Sequence, residues 1–179
     1  MKKFMTTAAM AAMLITTAAE YGSVVNVMAA ASSTTKTAEK KTTKTTGDKE
    51  ETAKIEKGDS VVIKTDDLSE DAAFYPIEVD GTEMEVIAVK DSEGNIRTAF
   101  NTCQICYDSG SGYYKQEGDT LVCQNCGNSF TMDQLGQTAG GCNPYPIMDD
   151  GKTVAEDEIQ ISYDFLKESS DIFANWKRK

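Results

Sequence analysis

The sequence predicts a mainly β fold, a small antiparallel β domain with a short C-terminal helix. Residues 60–161 contain many short strand-forming segments, and Gly, Asp and Asn turn signals separate them. A hydrophobic content of 40% is enough for a modest core. The length of 179 residues leaves room for one ordinary domain with additional segments.

The predicted strands are bounded by recognisable turns. Asp80-Gly81 is a hairpin signal, and the polar run 91–95 precedes a partner strand. Pro76 lacks the N–H that a ladder needs, which predicts that its strand lies at a sheet edge. The predicted strands are 60–65, 73–79, 84–90, 96–101, 113–116, 120–123, 129–132 and 158–161.

Short helices are predicted near the C-terminus. Ser162 is a suitable N-cap for a helix that continues through Leu166, because its hydroxyl can accept from an amide of the first turn. Asp171 is the predicted N-cap of a second helix that continues through Trp176.

The N-terminal part predicts export. Lys2 and Lys3 form a basic start, apolar runs follow, and small residues near Ala29 and Ala31 offer cleavage sites. Residues 1–31 are therefore predicted to be a secretory signal peptide, which gives the domain an extracytoplasmic location. Glu20 is costly in a bilayer, so an uncleaved N-terminal anchor, with the domain tethered at the membrane or cell surface, is the alternative.

Residues 32–57 are predicted to be a disordered Thr- and Lys-rich linker. The segment has no aromatic residue and too little apolar surface to offset the entropy of ordering. The folded domain is therefore predicted to span residues 58–179.

Composition excludes several functional classes. The chain has no His, which removes His-based acid–base catalysis and His-ligated metal sites. Residues 58–179 carry 23 acidic and nine basic side chains, a net charge of about −14. Such a surface does not favour nucleic acid, whose binding requires positive charge. It suits a soluble exported domain, or one that docks on a basic partner.

The chemically most informative motif is a pair of Cys-x-x-Cys sequences. Cys103 and Cys106 form the first pair, and Cys123 and Cys126 form the second, with 16 residues between the pairs. Four thiolates at this spacing are typical of a tetrahedral metal site. A structural Zn²⁺ site, an Fe or iron–sulfur redox site and two disulfides all remain open on spacing alone. The disulfides are disfavoured because a bridge within Cys-x-x-Cys is strained.

The flanking sequence resembles a Rieske-type domain. A strand, an acidic Gly turn and a second strand lead to Cys103, and a similar approach leads to Cys123 and on to Phe130. A Rieske domain has His at the positions that match Cys106 and Cys126. An all-Cys site implies a lower potential, about −400 mV as in plant-type ferredoxins.

A further resemblance covers most of residues 60–175. The Cys pairs, the segment Gly112-Tyr113-Tyr114 and the segment Gly140-Gly141-Cys142-Asn143-Pro144 together resemble the FtrD-like family of membrane iron–sulfur proteins. The resemblance implies an extracytoplasmic redox domain associated with ferrous-iron uptake. It also implies a membrane iron permease or redox protein as the partner.

Cys142 is the fifth cysteine and makes the count odd. It is predicted to be a further cofactor-binding residue, and a small buried core residue is the alternative. Tyr107, Tyr113 and Tyr114 lie near the motifs in sequence, either as core residues or as a shield that excludes water from a metal.

The sequence thus predicts an exported metal-binding redox protein that relays electrons, rather than an enzyme with its own substrate. The predicted cofactor is mononuclear Fe or an iron–sulfur cluster, with Zn as the alternative. The predicted metal ligands are Cys103, Cys106, Cys123 and Cys126, and Cys142 joins them in the cofactor site. A zinc-ribbon-like surface module and a carrier for Fe or Cu are the competing hypotheses.

Overall fold

A computed structural model describes residues 52–137 and 139–178, together with the backbone of residues 43–44. The described part is mainly β, with antiparallel hairpins and one short α-helix near the C-terminus, which confirms the predicted fold class. The strands are β1 Thr43–Lys44, β2 Ala53–Ile55, β3 Ser60–Lys64, β4 Ala73–Val79, β5 Thr82–Lys90, β6 Ile96–Cys103, β7 Tyr114–Glu117, β8 Thr120–Cys123, β9 Ser129–Thr131, β10 Pro144–Pro146, β11 Thr153–Val154 and β12 Glu158–Ser162. The α-helix is α1, Tyr163–Glu168, and four 3₁₀ turns span Thr65–Asp67, Tyr107–Ser109, Met132–Gln134 and Ser170–Phe173.

The central element is a five-stranded sheet with the order β10-β6-β5-β4-β2. A tight hairpin joins β4 to β5, and its two turn residues Asp80 and Gly81 have φ of 49° and 83°. Positive φ at both positions matches the right-handed twist of the paired strands. The predicted hairpin at this dipeptide is confirmed.

Both faces of the central sheet are covered. Along β5, Met84 and Val86 point into one hydrophobic core, whereas Ile87 and Val89 point into another. The first core lies against β3, β12 and α1, and the second lies against β8 and the loop that carries Cys103. Side chains alternate between the faces of a strand. Strand β5 therefore packs against the first core with one face and against the core that contains Cys103 and Cys123 with the other.

Pro76 does not lie in an edge strand, so that prediction is wrong. Strand β4 pairs with β5 on one side and in parallel with β2 on the other. The β2 ladder begins at Ile77, the residue after Pro76. Proline is therefore accommodated because the second ladder starts beyond the position that lacks an N–H.

The fold contains a strand ahead of residue 58. Strand β2, at Ala53–Ile55, pairs with β4, and Ile55 is buried in the first core. Residues 1–31, the predicted leader, lie outside the described residues, as does most of the predicted linker. Among the described residues, none of the helices has the length and hydropathy needed to cross a membrane.

The C-terminal turns agree with the sequence only in part. Ser162 accepts a hydrogen bond from the Phe165 amide and caps α1 as predicted. The second helix differs from the prediction, because Ser170–Phe173 forms a 3₁₀ turn that begins before Asp171. The residue before this turn is Ser169, whose side chain makes no capping bond.

Candidate metal centre

Three segments carry the five cysteines to one place. Cys103 ends β6 and is followed by the turn that contains Cys106. Cys123 ends β8 and is followed by the turn that contains Cys126. Cys142 lies in the loop that enters β10. Strand ends and their turns thus supply every thiol of the site.

The first loop is held by backbone contacts. The Cys106 amide donates to Cys103 Sγ at 3.3 Å, and the Cys103 amide donates to the Gly112 carbonyl at 2.6 Å. Gly112 packs so closely that a Cβ there would lie 2.6 Å from the Cys106 carbonyl oxygen. An amide aimed at a sulfur stabilises negative charge on it. The loop is therefore arranged to favour the thiolate form of Cys103.

The second loop has a similar turn. The Gly127 amide donates to the Cys123 carbonyl at 2.9 Å, and Gly127 has a φ of 75° that favours glycine. The amides of Asn125 and Cys126 hydrogen-bond to the Cys123 sulfur. Gly127 therefore lets the chain turn directly after the second motif.

The third segment is attached to the first loop. Strand β10 pairs with β6, which sets Pro144 opposite Cys103. The Gln104 amide donates to the Asn143 carbonyl at 3.1 Å, and the Gly140 amide donates to Gln104 Oε1 at 2.7 Å. The Tyr114 hydroxyl, from a fully buried ring, donates to the Cys142 carbonyl at 3.0 Å. Cys142 is thus positioned by contacts that do not involve its own side chain.

The sulfur atoms converge. The Sγ atoms of Cys103, Cys106, Cys123 and Cys142 all lie within 4.8 Å of one another. Cys142 Sγ is 3.2 Å from that of Cys103, 4.0 Å from that of Cys106 and 2.8 Å from that of Cys126. None of the five is in a disulfide. The structure therefore brings together all five residues that the sequence singled out.

The group of sulfurs, which we call the thiol cage, lies at the surface with one open side. Cys103 and Cys123 are buried, Cys106 and Cys142 are half-buried, and Cys126 is exposed. Ile105, at the tip of the first loop, has 66% of its surface exposed. In the part of the chain that the structure describes, Cys126 and the tip of the first loop are therefore accessible to solvent.

The environment lowers the pKa of two thiols. Burial raises the pKa of Cys103, but hydrogen bonds from the Tyr114 hydroxyl, the backbone and the Cys142 thiol outweigh it, and the net pKa is lowered. A hydrogen bond from the Cys142 thiol is the main cause that lowers the pKa of Cys126 to about 7. These two residues are the most readily ionised members of the cage.

The other thiols are harder to ionise. Burial is the main cause that raises the pKa of Cys106, that of Cys142 and that of Cys123, which reaches about 12. Without a metal, a compact group of sulfurs cannot carry a full set of negative charges. Loading a metal must therefore release protons from these residues.

A buried polar network lies behind the cage, and the sequence reasoning missed it. Asn101 Oδ1 accepts from the Tyr114 amide at 2.6 Å, and Asn101 Nδ2 donates to Glu85 Oε2 at 2.5 Å. Glu85 is fully buried and forms an ion pair with Arg178. Trp176 Nε1 donates to the Asn101 carbonyl at 2.8 Å. The one signal in the sequence was a glutamate inside the apolar run of β5.

A small β domain with an all-cysteine cage defines a class of metal-binding proteins whose ligands are soft sulfurs from loops between strands. Within that class, residues 68–173 match the family described as membrane iron-sulfur containing protein FtrD-like. The match spans more than half of the chain, and the protein belongs to this family. The resemblance noted in the sequence is thereby confirmed. No curated protein and no solved structure matches the chain.

Proposed function

We propose that this protein is an exported redox protein that holds iron in its thiol cage and relays electrons in iron uptake. The observation that carries the proposal is the convergence of five sulfur atoms at the surface of a β domain. The family description, which names iron–sulfur content and a membrane, supports the same metal and the same place of work. The leader predicted at residues 1–31 supports an extracytoplasmic location.

The donor set fits iron. Thiolates are soft ligands that select Zn, Cu(I), Fe and iron–sulfur clusters over Mg²⁺ and Ca²⁺. A tetrahedral ion with metal–sulfur bonds of about 2.3 Å separates its ligand sulfurs by about 3.8 Å. The four sulfurs lie within 4.8 Å of one another, and the distances of 3.2 and 4.0 Å from Cys142 Sγ to those of Cys103 and Cys106 lie on either side of that value. A binuclear or larger cluster sets some ligand sulfurs farther apart, so the loops would have to spread to hold it.

The chain's own residues prepare the cage for an electron carrier. Amides aimed at Cys103 and Cys123 stabilise negative charge on those sulfurs. The buried ring of Tyr114 excludes water from the inner side of the cage. Bound iron would supply a one-electron couple, and the exposed side at Cys126 would let a partner come near it.

The partner in this proposal is a membrane iron permease or a redox protein that serves it. The domain is strongly acidic, with about −14 charges over residues 58–179, which favours a basic docking surface on the partner. Attachment at the membrane would come from the N-terminal segment or from the partner itself.

A zinc-binding module is the second candidate function. The observation that favours it is the sulfur spacing, because a single tetrahedral Zn²⁺ needs the same separation as a single Fe. In that case the cage would staple three loops together, and the protein would act as a structural or binding module at the cell surface. A carrier that hands over Fe or Cu would use the same thiols.

Anaerobic purification followed by a visible spectrum and metal analysis tests the proposal. Coloured protein with iron and acid-labile sulfide supports an iron–sulfur relay, and colour without sulfide supports a single iron bound by four sulfurs. The expression medium must supply iron in excess, because thiolate sites also take up zinc. Colourless protein that retains one zinc under those conditions would contradict the redox proposal.

A further inference from the structure

The cage holds one thiol more than a tetrahedral ion or a four-cysteine cluster requires. We infer that the spare thiol is Cys126 and that Cys103, Cys106, Cys123 and Cys142 are the metal ligands. The inference rests on the proposed function, since it specifies how the same site binds iron. It differs from the ligand set that the two Cys-x-x-Cys motifs predict, in which Cys126 is the fourth ligand.

The distances between sulfurs favour this set. Four sulfurs lie within 4.8 Å of one another, and the fourth member of that group is Cys142. Cys142 Sγ contacts those of Cys103 and Cys106 at 3.2 and 4.0 Å. Cys126 is not part of this mutual group, although its thiol lies 2.8 Å from that of Cys142 and also interacts with those of Cys106 and Cys123. Cys142 therefore belongs to the compact group of four sulfurs, and Cys126 adjoins that group.

The backbone around Cys142 is held where a permanent ligand needs it. Strand β10 fixes the loop against β6, and Pro144 lies opposite Cys103. Gln104 hydrogen-bonds to both ends of the loop, through its amide to Asn143 and through its side chain to Gly140. Tyr114 holds the Cys142 carbonyl from the buried side. A ligand that is held in place before the metal arrives loses less entropy on binding.

Burial also favours Cys142 over Cys126 as the fourth metal ligand. Cys142 is half-buried among the other sulfurs, whereas Cys126 is exposed on the outer turn. The turn supports the metal site even if Cys126 is not a ligand, because the amides of Asn125 and Cys126 hydrogen-bond to the Cys123 sulfur. The second Cys-x-x-Cys motif then supplies one ligand and the amides that support it. Cys126 is left as a reduced thiol beside the metal, facing the solvent.

Alkylation of the unmodified full chain tests the inference directly. The protein is reduced, loaded anaerobically with Fe²⁺ alone, treated with iodoacetamide and mapped by mass spectrometry. In the iron-loaded protein we expect Cys126 to react at least about tenfold faster than each of the other four, as exposed thiols that lack a metal do. In the iron-free protein the protection of Cys103, Cys106 and Cys142 should fall.

Other labelling patterns overturn the inference. Protection of Cys126 with labelling of Cys142 would show that the two motifs supply the ligands. Protection of all five would show that none is spare, and labelling of both Cys126 and Cys142 would leave three ligands. If iron binds but protects none of the cysteines, or does not bind at all, both the ligand assignment and the proposed function fail. The patterns above, in which iron still protects some cysteines, overturn the ligand assignment alone.

A matched pair of variants gives a second measurement. Cys126→Ala should still bind one Fe²⁺, with an affinity within about threefold of that of the unaltered protein. Cys142→Ala should lose at least about tenfold in affinity, which corresponds to about 1.4 kcal/mol. Equal losses in the two variants, or a larger loss in Cys126→Ala, would contradict the inference. Circular dichroism checks that each variant folds. If Cys142→Ala does not fold, the labelling of the unmodified protein decides the inference.

Discussion

Tyr114 connects the thiol cage to the polar network behind it. Its ring is fully buried, and its hydroxyl donates to the Cys142 carbonyl. Its backbone amide donates to Asn101 Oδ1, and its backbone carbonyl accepts from Asn101 Nδ2. The same hydroxyl also hydrogen-bonds to Cys103. Burial is the main cause that raises the pKa of Tyr114, and this hydrogen bond raises it further. The same bond lowers the pKa of Cys103. One side chain therefore couples the position of one thiol to the ionisation of another.

Tyr114→Phe removes only the hydroxyl. We expect the free energy of unfolding to fall by about 1 kcal/mol, because the half-buried Cys142 carbonyl loses its hydrogen-bond donor. The pKa of Cys103 should rise, since a hydrogen bond to its thiolate is lost. Urea unfolding and thiolate absorbance against pH measure the two effects. Tyr113→Phe is the matched control, and equal effects from both variants would contradict this role of Tyr114.

Metal affinity should depend on pH because three thiols of the cage have raised pKa values. The metal binds the thiolate, so each proton released makes binding about tenfold stronger per pH unit. We expect the dissociation constant for Zn²⁺, used as a probe, to fall at least about tenfold between pH 6 and pH 7. Competition with a chelator of known affinity measures it. An unchanged constant would mean that the thiols were already ionised.

At the scale of elements, the sequence predicted local structure better than long-range pairing. The hairpin at Asp80-Gly81 and the helix cap at Ser162 were predictable, because each depends on residues a few positions apart. The parallel pairing of β2 with β4 was not, and it is the reason that Pro76 does not mark an edge. Pairings of this kind depend on where distant segments dock, which short-range propensity does not encode.

The candidate site shows the same division. The two Cys-x-x-Cys turns were predictable from spacing, together with the positive φ of Gly127. The place of Cys142 next to Cys103 depends on the pairing of β10 with β6, some 40 residues apart along the chain. The partner of Glu85 lies farther still, at Arg178. Residue spacing gives no signal that connects such pairs, and it was the resemblance to a family that placed Cys142 in the predicted cofactor site.

The tight contact between the first loop and Gly112 provides a test at this scale. In Gly112→Ala the new Cβ would lie 2.6 Å from the Cys106 carbonyl oxygen, so the loop must move. We expect a stability loss of about 1–3 kcal/mol and a metal affinity at least about tenfold weaker. Ser111→Ala, at an exposed neighbouring position, is the control. Full metal affinity in Gly112→Ala would contradict the assigned position of the first loop.

At the scale of the whole molecule, the C-terminal residues close the fold behind the cage. Trp176 bonds to the Asn101 carbonyl, the Lys177 amide donates to the Gly110 carbonyl at 2.8 Å, and Arg178 pairs with buried Glu85. Gly110 leaves no room for a side chain, because a Cβ there would lie 2.2 Å from the Asn175 carbonyl oxygen. The end of the chain is therefore part of the scaffold that holds the first cysteine loop.

Arg178→Met leaves Glu85 buried without its charged partner. We expect a stability loss of about 3 kcal/mol, at the lower end for a broken buried pair because the Arg178 side chain is one-third exposed. Lys177→Met removes the same charge one residue away and should change stability by less than about 0.5 kcal/mol. The double variant Glu85→Gln with Arg178→Met should lose less than Arg178→Met alone. Chemical unfolding of the two single variants and the double variant measures these differences. Equal stability of the two single variants would contradict the ion pair between Glu85 and Arg178.

The central claim is that the thiol cage binds iron through sulfur alone. X-ray absorption at the iron edge of the anaerobically purified, iron-loaded protein measures the first coordination shell directly. We predict a shell of sulfur atoms only, with iron–iron scattering present for a cluster and absent for a single ion. A first shell made mainly of oxygen or nitrogen would contradict the claim.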